Sequence, residues 1–261
     1  MGTNFRVLTQ DDQLAHRVDD LLRTFESTPS AARAANTIQI VTLPDGTHRL
    51  YRDCYRVTSQ RQPTDLLPAL VATINRTAVE RSEKFAVHAG VVGLDEKIVA
   101  FPATSGGGKT TLTAACLLSG FAYLSDEALV LGESGEVIPY PKPLALSAWS
   151  CRALGIDVED AETLVTAADL GAIIGPGGSP VTDIVIATFG AAEEHLTPLP
   201  RSQAVTALLA HSFNHYRDPA RAFRLATGTA SNARVWKLDY NDPLTAALTL
   251  HRQVRHEPAG I

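Results

Sequence analysis

The run Ala103-Thr104-Ser105-Gly106-Gly107-Gly108-Lys109-Thr110-Thr111 constrains this chain more than any other segment. It has the spacing of a phosphate-binding P-loop, with Ala103 at the position where glycine is commoner. Glycines let successive backbone N–H groups turn inward around a phosphate chain. The lysine reaches the terminal phosphates, and the hydroxyl after it ligates Mg²⁺. A helix that starts at the lysine also aims its positive end at the anion. The motif demands a strand before it and a helix after it. Ile98-Val99-Ala100-Phe101 reads as that strand, Thr111 to Leu118 as that helix, and Gly120 as its stop. Residues 104–111 are therefore the expected nucleotide-binding segment. Mg²⁺ is the expected metal, and the motif by itself leaves ATP, GTP and pyrophosphate open as the phosphate donor.

Two neighbours extend the site. Phe121-Ala122-Tyr123-Leu124 is an apolar strand ending in Ser125-Asp126-Glu127. Parallel pairing with the strand before the loop, through a right-handed crossover, would bring its end beside the phosphates. Asp126 and Glu127 then stand where a metal ligand and a catalytic carboxylate are needed. Only 16 residues lie between Lys109 and Asp126, which argues for a compact phosphotransferase rather than a motor or switch. His88 is the second neighbour. Phe85 to Val92 reads as a strand and Gly93-Leu94-Asp95-Glu96 as a tight turn. With Asp95-Glu96 at the tip, Leu94 pairs with Lys97 and His88 faces Ala103. A histidine there can contact the terminal phosphate or orient an acidic residue.

His88-Ala89-Gly90, then Ser105 to Thr110, then Leu124-Ser125-Asp126-Glu127 resemble three ordered landmarks of the HPr kinase/phosphorylase catalytic domain. The resemblance covers roughly residues 85–131. It implies an α/β fold, a P-loop kinase core similar to that of phosphoenolpyruvate carboxykinase. It also implies Mg²⁺-ATP-dependent phosphorylation of a serine. Carried over, Lys109 binds phosphates, Thr110 and Asp126 hold Mg²⁺, Asp126 is the leading catalytic base with His88 nearby, and Glu127 replaces the family's second Asp. The N-terminal third does not resemble the corresponding HPr kinase domain. The chain looks more like stand-alone HPr kinase-related proteins of bacterial gene clusters. Some of these, including the lasso-peptide kinases, phosphorylate a serine of a precursor peptide. The expected acceptor is a hydroxyl of a peptide or small protein. A small-metabolite kinase and a nucleotide-binding regulator without transfer are the rival readings. HPr kinases are hexamers, so a homo-oligomer is one expectation.

Composition narrows the partners. The 261 residues carry a net charge of −5, with 45% hydrophobic residues. That is ordinary for a globular protein and leaves no basic footprint for nucleic acid. Cys54, Cys116 and Cys151 are far apart and lack metal-ligand spacing. This usage suits a reducing compartment. No apolar run is long enough to span a bilayer. A cytoplasmic protein with no membrane partner is expected.

The rest of the chain divides into a small α+β unit over 1–80 and a catalytic domain over 81–261. In the first unit, Phe5 to Leu8 and Thr37 to Val41 read as strands and Asp11 to Phe25 as an amphipathic helix. Arg49 to Val57 reads as one strand, and Asp65 is placed to cap a helix running to about Ser82. This unit serves either recognition or scaffolding. In the second, Leu129-Val130-Leu131 and Val137-Ile138 form a hairpin. Lys142, on the stiff Pro139–Pro143 strip, is placed to reach a nucleotide or substrate phosphate, but a surface lysine is the simpler reading. The acidic run from Asp157 to Glu162 reads as a solvated helix start. Gly175 to Ser179 is a plain turn before the strand Asp183 to Phe189. His211 and His215 are helix-surface residues. Arg221 and Arg224 share a face of a helix started by Asp218-Pro219. Val235 to Leu238 is a late strand, and Leu244 to Leu250 a closing helix.

Overall fold

The computed structural model describes residues 2–25, 36–103, 108–158 and 162–255. It is α/β, with mixed sheets and, among the described residues, no barrel, and it divides into two compact units, 1–82 and 83–261.

The first unit has a four-stranded sheet ordered β1 (Phe5–Thr9), β2 (Asn36–Thr42), β3 (His48–Arg52), β4 (Tyr55–Gln60). β1 and β2 are parallel, and the other neighbours are antiparallel. Helices α1 (Asp12–Leu22) and α2 (Leu66–Arg81) contribute Leu14, Val18, Leu66, Leu70 and Ile74 to a core with Ile38, Ile40 and Leu50. Residues 49–57 form two strands rather than one. Asp53 takes a left-handed backbone (φ 53°) and turns the chain, a conformation that aspartate tolerates better than most residues. Its N–H donates to the Thr37 carbonyl at 2.7 Å, and its carboxylate accepts from Thr37 N at 3.2 Å. Asp65 precedes α2 without capping it through its side chain. It ends a 3₁₀ turn, and its backbone is already helical.

In the second unit the hairpin β5 (Phe85–Leu94) and β6 (Lys97–Pro102) has the register that the turn implies. Leu94 pairs with Lys97, and the Ala103 N–H donates to the His88 carbonyl at 3.2 Å. Helix α3 (Lys109–Leu118) follows the loop. Next come β7 (Ala122–Ser125), β8 (Ala128–Leu131), β9 (Val137–Ile138), β10 (Leu144–Ser147), α4 (Ala148–Leu154), β11 (Glu162–Val165) and β12 (Asp183–Phe189). The chain then forms β13 (His195–Pro198), α5 (Arg201–Ala210), α6 (Pro219–Asn232), β14 (Arg234–Tyr240) and α7 (Pro243–Arg255). The main sheet runs β13-β14-β12-β6-β5-β8-β9, with β7 also on β5. Its centre, β14, β12 and β6, is parallel.

Residues of these strands alternate between two cores. Val99, Phe101, Val185 and Leu238 pack with α3, α4 and α7. Ile98, Ala100, Ile184 and Val235 pack with α5 and α6. A sheet covered on both faces explains why its strands read as continuous apolar runs. Gly90 permits the closest approach of α3 to β5, since a Cβ there would fall 2.4 Å from Thr113 Oγ1.

Three readings are corrected. β7 does not pair with β6. β5 lies between them, and β7 reaches the site as an antiparallel partner of β5. Glu162, read as part of a helix start, begins strand β11 against β10. α5 stops at Ala210, so His211 and His215 do not share a helix. His211 instead accepts the His88 N–H through its carbonyl at 2.8 Å.

Candidate functional site

β7 and β8 lie along the same edge of β5, one after the other. Between them the ladder breaks, and Asp126 and Glu127 occupy the break. Ser125 shapes it: its Oγ accepts from Glu127 N at 3.1 Å and Ala128 N at 2.9 Å. A side-chain oxygen thus replaces lost ladder acceptors. The Ala89 N–H donates to the Glu127 carbonyl at 3.2 Å, tying the turn to β5.

Opposite this turn is the start of α3. Gly108 precedes the helix with φ 78°, a left-handed conformation suited to glycine. A Cβ on it would also stand 3.0 Å from the Tyr240 hydroxyl. Lys109 is the first helical residue and is buried, at 6% exposure. Burial lowers its pKa, and the charges of Glu127 and Asp126 oppose that shift. An added anion would relieve the same strain. Thr110 and Thr111 complete the first turn. Thr111 Oγ1 lies 2.8 Å from Ser150 Oγ, so this hydroxyl bonds to α4.

A cleft of about 510 Å³ joins these parts. His88, Gly108, Lys109, Thr110, Thr111, Asp126, Glu127 and Lys142 line it. Most of the residues expected from the sequence therefore meet in one place. Thr104, Ser105, Gly106 and Gly107 lie outside the described residues.

His88 projects from β5 with Nε2 3.5 Å from Glu127 Oε1, and its ring packs on Phe213 with centroids 5.3 Å apart. Burial first, then the Lys109 and His211 charges, push its pKa down to about 4. The imidazole is therefore neutral at pH 7. Of the two roles open to it, the contact is with the acidic residue.

Lys142 was missed. It is 5% exposed rather than on the surface. Its Nζ sits 3.0 Å from Asp126 Oδ1 and 3.3 Å from Oδ2, and donates to the Pro143 carbonyl at 3.1 Å. The Tyr123 hydroxyl lies 2.8 Å from Asp126 Oδ1 and 2.7 Å from the Lys142 carbonyl. Burial, and then the Asp126 charge, hold that phenol well above its usual pKa, so it stays a donor. The stiff proline strip was the available sequence signal, because it fixes where Lys142 can point.

No protein-family model matches this chain, and no curated protein matches it. Among the described residues no cluster of three or more His, Cys, Asp or Glu could hold a metal, and no helix is long and apolar enough to cross a membrane.

Proposed function

We propose that this chain is a Mg²⁺-ATP-dependent kinase of the HPr kinase-like type. It transfers the γ-phosphoryl group to a hydroxyl, that of a serine in a peptide or small protein. One observation carries the reading: Lys109 at the amino end of α3 shares a cleft with Asp126, Glu127 and His88. A cation and helix N-terminus for phosphate, faced by carboxylates, is what phosphoryl transfer requires.

The residues divide the work. Lys109 and the N–H groups at the start of α3 hold the phosphates. Asp126 accepts the proton of the attacking hydroxyl. Lys142 holds the Asp126 carboxylate in place through contacts to both of its oxygens. As Asp126 takes the proton, the Lys142 ammonium loses its counter-charge and stabilises negative charge nearby. The oxygens of Thr110 and Glu127 suit Mg²⁺, which takes few protein ligands and fills its shell with phosphate oxygens and waters. Mg²⁺ would neutralise phosphate charge there. Neutral His88 orients Glu127 without adding a competing positive charge.

Calorimetric titration of wild type and Lys109→Ala with Mg²⁺-ATP tests the binding half. Binding that Lys109→Ala abolishes is expected. Equal affinity in both proteins would overturn the reading.

A further inference from the structure

The end of the cleft away from Asp126 and Glu127 is aromatic, with Glu162, the register partner of Ser147, also in the lining. Trp149 opens α4, Phe189 ends β12, and Tyr240 ends β14. Phe189 and Tyr240 are register partners at the carboxyl edge of two parallel strands. Their ring centroids are 5.5 Å apart and edge-on, and those of Trp149 and Phe189 are 5.0 Å apart in the same manner. Tyr240 is buried and anchors the set. Phe189 and Trp149 remain 42% and 46% exposed. All three rings line the cleft. The wall also adjoins the phosphate end, because a Cβ on Gly108 would stand 3.8 Å from Phe189 Cβ.

Strand order separates the two sides. The glycine loop leaves the end of β6, at the middle of the sheet. The Asp126-Glu127 turn lies on the β5 side, and the aromatic wall lies beyond β12 on the other. A phosphate chain held at the start of α3 points one end at the carboxylates and the other at the rings. The acceptor hydroxyl must approach the carboxylates, which leaves the aromatic side for the far end of the donor.

Resting on the kinase reading above, we propose that Trp149 and Phe189 form a nucleobase subsite. The donor is then a nucleoside triphosphate, held by base stacking at one end and phosphate contacts at the other, and not an inorganic polyphosphate. Aromatic faces bind any flat base, with edge-on partners fixing the platform.

Titrating wild type, Trp149→Ala and Phe189→Leu with ATP and with tripolyphosphate, each with Mg²⁺, tests the subsite. The half-exposed positions make both variants compatible with folding, which circular dichroism checks. Each variant is expected to bind ATP about 5- to 150-fold more weakly, the usual worth of one base–aromatic stack, with tripolyphosphate binding unchanged. Trp149 fluorescence should respond to ATP and not to tripolyphosphate. ATP affinity unchanged in both variants, or lost in step with tripolyphosphate, overturns the subsite and leaves the phosphate site standing. Failure of wild type to bind either ligand overturns the phosphate site, and the subsite falls with it.

Discussion

The Lys142 ammonium lies 3.0 Å from Asp126 Oδ1, with both side chains almost completely out of solvent. Removing one member of such a pair strands the other charge. Lys142→Ala is therefore expected to lose about 3–5 kcal/mol of stability, measured by urea unfolding. Lys142→Met with Asp126→Asn together should recover much of that loss, because neither charge is left unpaired. Equal instability of the double variant would show that the pair does not act as a unit.

His88 makes stability depend on pH. Its pKa is about 4 in the folded protein, against an ordinary value of 6.5. Between those values the unfolded chain binds the extra proton. Stability from this residue is thus fully present above pH 6.5 and is lost as pH falls from 6.5 towards 4. The loss is of order 2–3 kcal/mol. His88→Gln should flatten the decline in urea midpoints between pH 7 and 4.5. Parallel curves for the two proteins would contradict the burial argument.

Ser125 holds the turn that presents both carboxylates. Ser125→Ala leaves two backbone N–H groups without their acceptor, at a cost of about 1–3 kcal/mol. On the kinase reading, turnover falls more than nucleotide affinity does, because Lys109 is on another element. Separate measurement of kcat and of ATP binding checks this, and equal losses in both would count against it.

Gly90 sets the approach of α3 to β5. Gly90→Ala is expected to cost about 1–3 kcal/mol, because the new methyl meets Thr113 Oγ1. Thr113→Ala, which removes that oxygen, should relieve most of the penalty. Thermal unfolding of the two single variants and the double variant gives the coupling, and strict additivity would contradict the contact.

Legibility in the sequence follows the range of the interactions. The β5–β6 hairpin was readable because a two-residue turn at Asp95-Glu96 dictates every pairing behind it. The start of α3 was readable because Gly108-Lys109 is local chemistry. The place of β7 was not, since strand order depends on contacts across the whole sheet, and β5 takes the position next to β6. The division of residues 49–57 was missed because Asp53 is held by Thr37, a partner 16 residues away. Lys142 looked exposed because lysine usually is. Its counter-ion is 16 residues earlier in the chain, and only the fold joins them. The aromatic wall draws on α4, β12 and β14, and no local pattern links those three rings.

On the kinase reading, the site transfers phosphate with Asp126 as the base. Mass spectrometry of serine-containing peptides after incubation with Mg²⁺-ATP tests it directly, with HPr and free serine alongside. Wild type is expected to add one phosphate to a hydroxyl acceptor. Asp126→Ala, with its folding checked by circular dichroism because Lys142 loses its counter-charge, should reduce the rate by about 10²- to 10⁴-fold, the usual contribution of a general base, while still binding ATP. Transfer by Asp126→Ala at the wild-type rate would contradict the assignment of the base. ATP binding without transfer to any acceptor of the panel would contradict the kinase reading and favour a nucleotide-binding regulator.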